Sequence, residues 1–120
     1  MRKHLPLWNQ HANRLNDSLT ASAEGYTLVD VRDKIEEGRA QWHPFEECAV
    51  VTQILSRPHG RVCIIWLVAG TPEQLLVVED QMVAWAREQG CVEMRFVGRR
   101  GWLKAFSHWA DIGTIGRLKL

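Results

Sequence analysis

Arg61-Val62-Cys63-Ile64-Ile65-Trp66-Leu67-Val68-Ala69, continued by Gly70-Thr71-Pro72-Glu73-Gln74, joins an apolar run to a helix start. The run is apolar at consecutive positions, so both of its faces should be covered, which predicts a central strand. Beyond it, Thr71 can cap a helix, Pro72 suits the first helical position, and Gln74 can reach back to the cap N–H. Apolar residues recur at Leu75, Leu76, Val78, Met82, Val83, Trp85 and Ala86 until Gly90 ends the helix. Cys91 to Val97 alternates Val92, Met94 and Phe96 with Glu93 and Arg95 and reads as a second strand. Strand, helix, strand predicts two parallel strands joined by a right-handed crossover over Pro72–Gln89.

Upstream, Ala49 to Leu55 is apolar and β-branched, and Arg57-Pro58-His59-Gly60 is a turn by composition, so this run and the next form an antiparallel hairpin. Trp42-His43-Pro44 suggests a short extended piece. Thr27 and Asp30 make an acidic variant of the capping box for a helix over Leu28–Glu37, with Gly38 placed for a left-handed cap. At the N-terminus, Pro6 opens a helical segment with Leu7, His11, Leu15 and Leu19 along one stripe. Downstream, Trp102 to Trp109 reads as a short helix and Thr114 to Leu120 as a last strand. The fold class is α/β: a mixed sheet with antiparallel N-terminal strands and a parallel β-α-β crossover. The expected core includes Val31, Ile35, Val51, Ile54, Ile64, Trp66, Val68, Leu76, Val83, Ala86, Met94 and Phe96.

Composition narrows the function classes. The chain has 120 residues, 46% hydrophobic and 24% charged, which suits one globular core rather than two. Fifteen basic against fourteen acidic residues leave a net charge of +1, so no global field draws in nucleic acid or membrane. No basic stripe with interleaved aromatics exists, which makes nucleic-acid binding the weaker option. Cys48, Cys63 and Cys91 form no C-x-x-C pair, and the five histidines show no His-x-x-x-His spacing, so no metal is expected. The cysteines read as small buried hydrophobes in a reducing compartment. No apolar run is long enough to span a bilayer, and the expected location is the cytoplasm.

Three strings carry a family resemblance. Thr27-Leu28-Val29-Asp30-Val31 leads through Ile35-Glu36-Glu37-Gly38 to Gln41-Trp42; Trp85-Ala86-Arg87-Glu88-Gln89-Gly90-Cys91 ends the crossover helix; Gly98-Arg99-Arg100-Gly101-Trp102 follows the next strand. In this order and spacing the chain resembles the small GNAT-like proteins (N-acyltransferase fold) encoded by tailed phages and prophages. The resemblance implies one GNAT-like domain over 1–120, with an N-terminal helical segment over 1–25 and a core over 27–120. It implies acetyl-CoA or another acyl-CoA as cofactor. Two functions follow from it: an acyl-CoA-dependent N-acyltransferase, or a non-catalytic virion, assembly or host-protein-binding protein in the host cytoplasm or the virion.

In that superfamily the pyrophosphate rests on a loop with two small residues that begins the crossover helix. The matching stretch here, Val68 to Glu73, has one glycine and no basic residue. Pro72 removes a donor, and Glu73 puts a negative charge where the pyrophosphate would lie. The candidate cofactor-binding residues are Gly70 and Thr71 on this loop and Arg99, Arg100, Gly101 and Trp102 on the facing one, where the arginines would supply the missing charge. No catalytic residue is assigned. The tyrosine that often acts as general acid late in the GNAT chain has no counterpart, because the only tyrosine is Tyr26. Glu46, Glu47, His43 and His59 could offer a general base but read first as solvated loop residues. Ser107-His108 lacks the Gly-x-Ser-x-Gly elbow of a hydrolase.

Overall fold

The computed structural model describes residues 4–22, 25–96 and 106–109. In chain order the elements are α1 (Trp8–Ser22), α2 (Leu28–Glu36), β1 (Gln41–Pro44), β2 (Ala49–Arg57), β3 (Gly60–Ala69), α3 (Pro72–Glu88) and β4 (Cys91–Phe96). The strands form one sheet in the order β1-β2-β3-β4. β1 and β2 pair antiparallel, as do β2 and β3, and β3 pairs parallel with β4. The expected hairpin, central strand and crossover are therefore all present. The expected strand over 114–120, and the part of the expected helix before Phe106, lie outside the described residues; the described part of that helix, 106–109, is a turn.

Local chemistry places both inner helices. Thr27 and Thr71 each accept a backbone N–H three residues on, while the Asp30 and Gln74 side chains accept the cap N–H in return. These reciprocal bonds engage two of the N–H groups that a helix start otherwise leaves open. Gly38 and Gly90 follow the helix ends with φ of 78° and 79°, the left-handed geometry that costs glycine least. α1 departs from expectation at its start. It begins at Trp8 rather than Pro6, and Leu7 sits outside it, exposed, with φ 60°. Trp42 Nε1 donates to the Pro6 carbonyl at 2.8 Å, and the Trp8 indole meets Trp42 edge-on with centroids 5.0 Å apart. The lead-in is thus tied to β1 instead of continuing the helix.

The sheet carries one apolar cluster on each face. Trp8, Leu15 and Leu19 of α1 and Val31 of α2 pack with Ala49, Val51, Leu67 and Ala69. On the other face Leu75, Val78 and Met82 of α3 pack with Val50, Ile65 and Phe106. One irregularity sets which residues reach which face. Val51 pairs with Leu67 but Thr52 pairs with Ile65, so Trp66 is an extra residue in β3. A bulge of this kind turns two successive side chains to the same side. Trp66 and Leu67 accordingly both join the α1–α2 cluster, and Ile65 joins the α3 cluster.

Of the twelve residues expected in the core, Val31, Val51 and Ala86 are fully buried; the other nine are half-buried. Along β3 the buried positions are Val62, Cys63, Ile65, Leu67 and Ala69, so from Cys63 onward they fall one step out of phase with Ile64, Trp66 and Val68. Along α3 they are Leu75, Val78, Met82 and Ala86. Leu76 and Val83 flank that stripe rather than forming it, because the sheet lies under the 75–78–82–86 line.

Candidate functional site

The parallel register runs from Arg61 opposite Cys91 to Ile65 opposite Phe96. β3 continues for four residues past this last pair, beginning with the extra residue Trp66, and then enters Gly70 and the start of α3. The carboxyl edge of a parallel pair is where open α/β sheets receive ligands, because strand ends and helix N-termini converge there. Gly70 and Thr71, two of the expected site residues, stand at this edge. Arg99, Arg100, Gly101 and Trp102 lie outside the described residues.

At Gly70 and Thr71 the chain is closely occupied. Gln74 Oε1 accepts from the Thr71 N–H at 2.9 Å and from Arg14 Nη2 at 2.7 Å. The Gln74 N–H is taken by Thr71 Oγ1 at 3.2 Å. Arg14 Nη1 also donates to the Glu47 carbonyl at 3.0 Å, which ties α1 to the β1–β2 connection. Gly70 has φ 156°, and a Cβ placed on it would come within 2.8 Å of both Cys48 Cβ and Gln74 Oε1. The Cys48 thiol is buried, 3.8 Å from the Gln74 carbonyl, and burial pushes its pKa up, against a smaller lowering by Arg14. Sequence reasoning missed Arg14. It lies on α1, sixty residues before Gln74, and no spacing rule links an arginine there to this loop.

The other candidates do not gather here. His43 is half-buried on β1, its ring edge-on to Trp85 with centroids 4.3 Å apart. Thr52 Oγ1 donates to Gln41 Oε1 at 2.9 Å, so it accepts from His43 Nε2 at 2.8 Å, which fixes the neutral tautomer. Burial lowers the His43 pKa to about 4. Glu46 and Glu47 are exposed between β1 and β2. His59 sits at the hairpin turn, 3.1 Å from Glu93, a carboxylate whose pKa is depressed by its hydrogen bond to Arg95 and, less, by His59. Ser107 is exposed, whereas Glu79 accepts from His108 Nε2 at 2.5 Å and Trp109 Nε1 at 2.8 Å. A cleft of about 280 Å³ lies between α3 and β4, lined by Glu79, Arg87, Cys91, Met94 and Trp109 among others. Buried Cys63 has its pKa pushed up to about 11 by desolvation, and a thiol so held is a poor nucleophile. Among the described residues no group of three or more His, Cys, Asp or Glu side chains could hold a metal. No helix there is long and apolar enough to cross a membrane.

Neither a protein-family model nor a curated protein sequence matches the chain. Solved structures do. A mutant of TTHA1254 from Thermus thermophilus is similar over 97% of this chain and 95% of its own, with 13% identity and a TM-score of 0.63. A ribosomal-protein-alanine N-acetyltransferase from Brucella melitensis biovar Abortus 2308 is similar over 92% and 94%, with 12% identity and a TM-score of 0.58. At such identities the likeness speaks for the fold, which is GNAT-like.

That fold typically uses acyl-CoA, so the α3 N-terminus can be tested as a pyrophosphate cradle. A cradle needs open N–H groups. Here the Thr71 and Gln74 N–H groups are engaged by the capping box, and Pro72 has none. Gln74 Oε1, Arg14 and Cys48 fill the space beside Gly70. The described residues do not fit a pyrophosphate at this loop.

Proposed function

We propose that this chain is a GNAT-fold protein that works by binding a protein partner, and not as an ordinary acetyl-CoA-dependent acyltransferase. The observation that carries this reading is the closed start of α3, where Gln74 takes the Thr71 N–H and the Arg14 guanidinium that an anion would need. The family resemblance gives the partner's class, a phage virion or assembly protein or a host protein. Fold alone leaves room for this, since sites are grafted onto folds. Isothermal titration calorimetry with acetyl-CoA and with free CoA tests it. The expected result is no heat of binding at concentrations where acyltransferases saturate, and tight binding of either ligand overturns the reading.

A second reading, an acyl-CoA-dependent N-acyltransferase, draws support from the extra residue Trp66 at the point where the β3–β4 pairing stops, and from the similarity to an N-acetyltransferase. In it Arg99 and Arg100, with Gly101 and Trp102, hold the phosphates in place of the α3 loop. Replacing both arginines by alanine would then abolish CoA binding and leave the unfolding midpoint unchanged. Tight CoA binding that survives the double substitution rules out this placement of the site.

A further inference from the structure

The geometry points to Gln74 as a built-in occupant of the anion position at the start of α3, held there by Arg14. This deepens the reading above and rests on it in one respect, that the loop does not cradle phosphate as it stands. The donors come first. Gln74 Oε1 lies between a backbone N–H at a helix start, 2.9 Å away, and a guanidinium N–H, 2.7 Å away. These are the two kinds of donor that bind phosphate oxygens most readily. A capping box requires only the first of them.

Arg14 is therefore extra to the cap. It comes from α1, and both oxygens it donates to, Gln74 Oε1 and the Glu47 carbonyl, are uncharged. A guanidinium stays charged at any ordinary pH and pairs best with an anion. An amide oxygen satisfies its hydrogen bond while leaving its charge unneutralised. The side chain also fills the available space: a single added carbon on Gly70 would already stand 2.8 Å from Gln74 Oε1. With Gln74 in place no ligand oxygen can reach Thr71 N–H and Arg14 together; with it removed both donors open to the same point. The feature acts as an intramolecular plug.

The test is an amide-resolved NMR titration with inorganic pyrophosphate on the wild type, Gln74→Ala and the Arg14→Met/Gln74→Ala double variant. In the wild type the Thr71 and Glu73 amides should stay fixed at millimolar pyrophosphate. In Gln74→Ala they should shift and saturate, with an affinity gain on the order of tenfold, and the double variant should lose it. Movement of those amides in the wild type, or no gain in Gln74→Ala, overturns the inference. Gln74→Glu provides a check independent of whether the alanine variant folds. It keeps the capping box and places an anion beside Arg14, so its melting temperature should rise; a fall overturns the plug. CoA binding that leaves the Thr71 and Glu73 amides unmoved would defeat the functional reading and leave this inference standing.

Discussion

Acidification should weaken this protein in a way that His43 makes separable. Its folded-state pKa is lowered by burial to about 4, from an ordinary value of 6.5. Above pH 6.5 the imidazole is neutral in both the folded and the unfolded chain, and it adds no pH dependence to stability. As pH falls below 6.5 the unfolded chain takes up a proton that the folded chain refuses, so stability declines. The decline proceeds at about 1.4 kcal/mol per pH unit and ends near pH 4, for a total of about 3 kcal/mol. The neutral ring is held by its Nε2–H bond to Thr52 and by the Trp85 edge contact; a proton on Nδ1 would add a charge beside an indole with no counter-ion in those contacts. Carboxylates such as Glu93, whose pKa is lowered, also lose stability as pH falls. The measurement is therefore a difference, between urea unfolding of the wild type and of His43→Phe at pH 7 and again at pH 4.5. The gap between the two proteins should shift by about 2–3 kcal/mol in favour of the phenylalanine variant on acidification. Parallel pH profiles would refute the reasoning and show that water reaches the ring.

Two further substitutions test the packing. Leu75 is 2% exposed on the inward line of α3, whereas Leu76 is half-buried beside it. Leu75→Ala should cost about 2–5 kcal/mol in urea unfolding and Leu76→Ala about half as much; equal costs would mean that the inward face of α3 is misassigned. Gly70→Ala forces a methyl against Cys48 Cβ and Gln74 Oε1 and should lower stability by about 1–3 kcal/mol, and an unchanged midpoint would show that the loop can give way.

The elements that could be read in the sequence are those whose cause is local. The two capping boxes are spelled by residues three apart, Thr27 with Asp30 and Thr71 with Gln74, and both form. The central position of β3 followed from a run apolar at every step. What could not be read depends on partners distant in the chain. The bulge at Trp66 is a mismatch between β2 and β3, visible only in their register, and it sends Ile65 to the α3 face but Leu67 to the opposite one. Val92 shows the same effect. It follows Cys91, opposite Arg61, and precedes Glu93, opposite Val62, so a valine that alternation would bury is 63% exposed. Within the candidate site, the poor donor set of the Gly70–Thr71 loop was legible from Pro72 and Glu73. The guanidinium above it was not, because it arrives from α1.

The route of α1 bears on how the chain folds as it is made. Its buried residues Leu15 and Leu19 rest on Leu67 and Ala69, and its Arg14 meets Gln74, so this helix finds its seat only after β3 and the start of α3 have been translated. Until then its apolar stripe can meet only the earlier members of its cluster, such as Val31, Trp42 and Val51, and contacts of long sequence separation form late and slowly. A nascent chain halted before residue 67 would lack the β3 part of the seat and leave Leu15 and Leu19 more open to the solvent, or to a chaperone. Ribosome-bound fragments ending on either side of β3 should then differ sharply in protease resistance within residues 8–22.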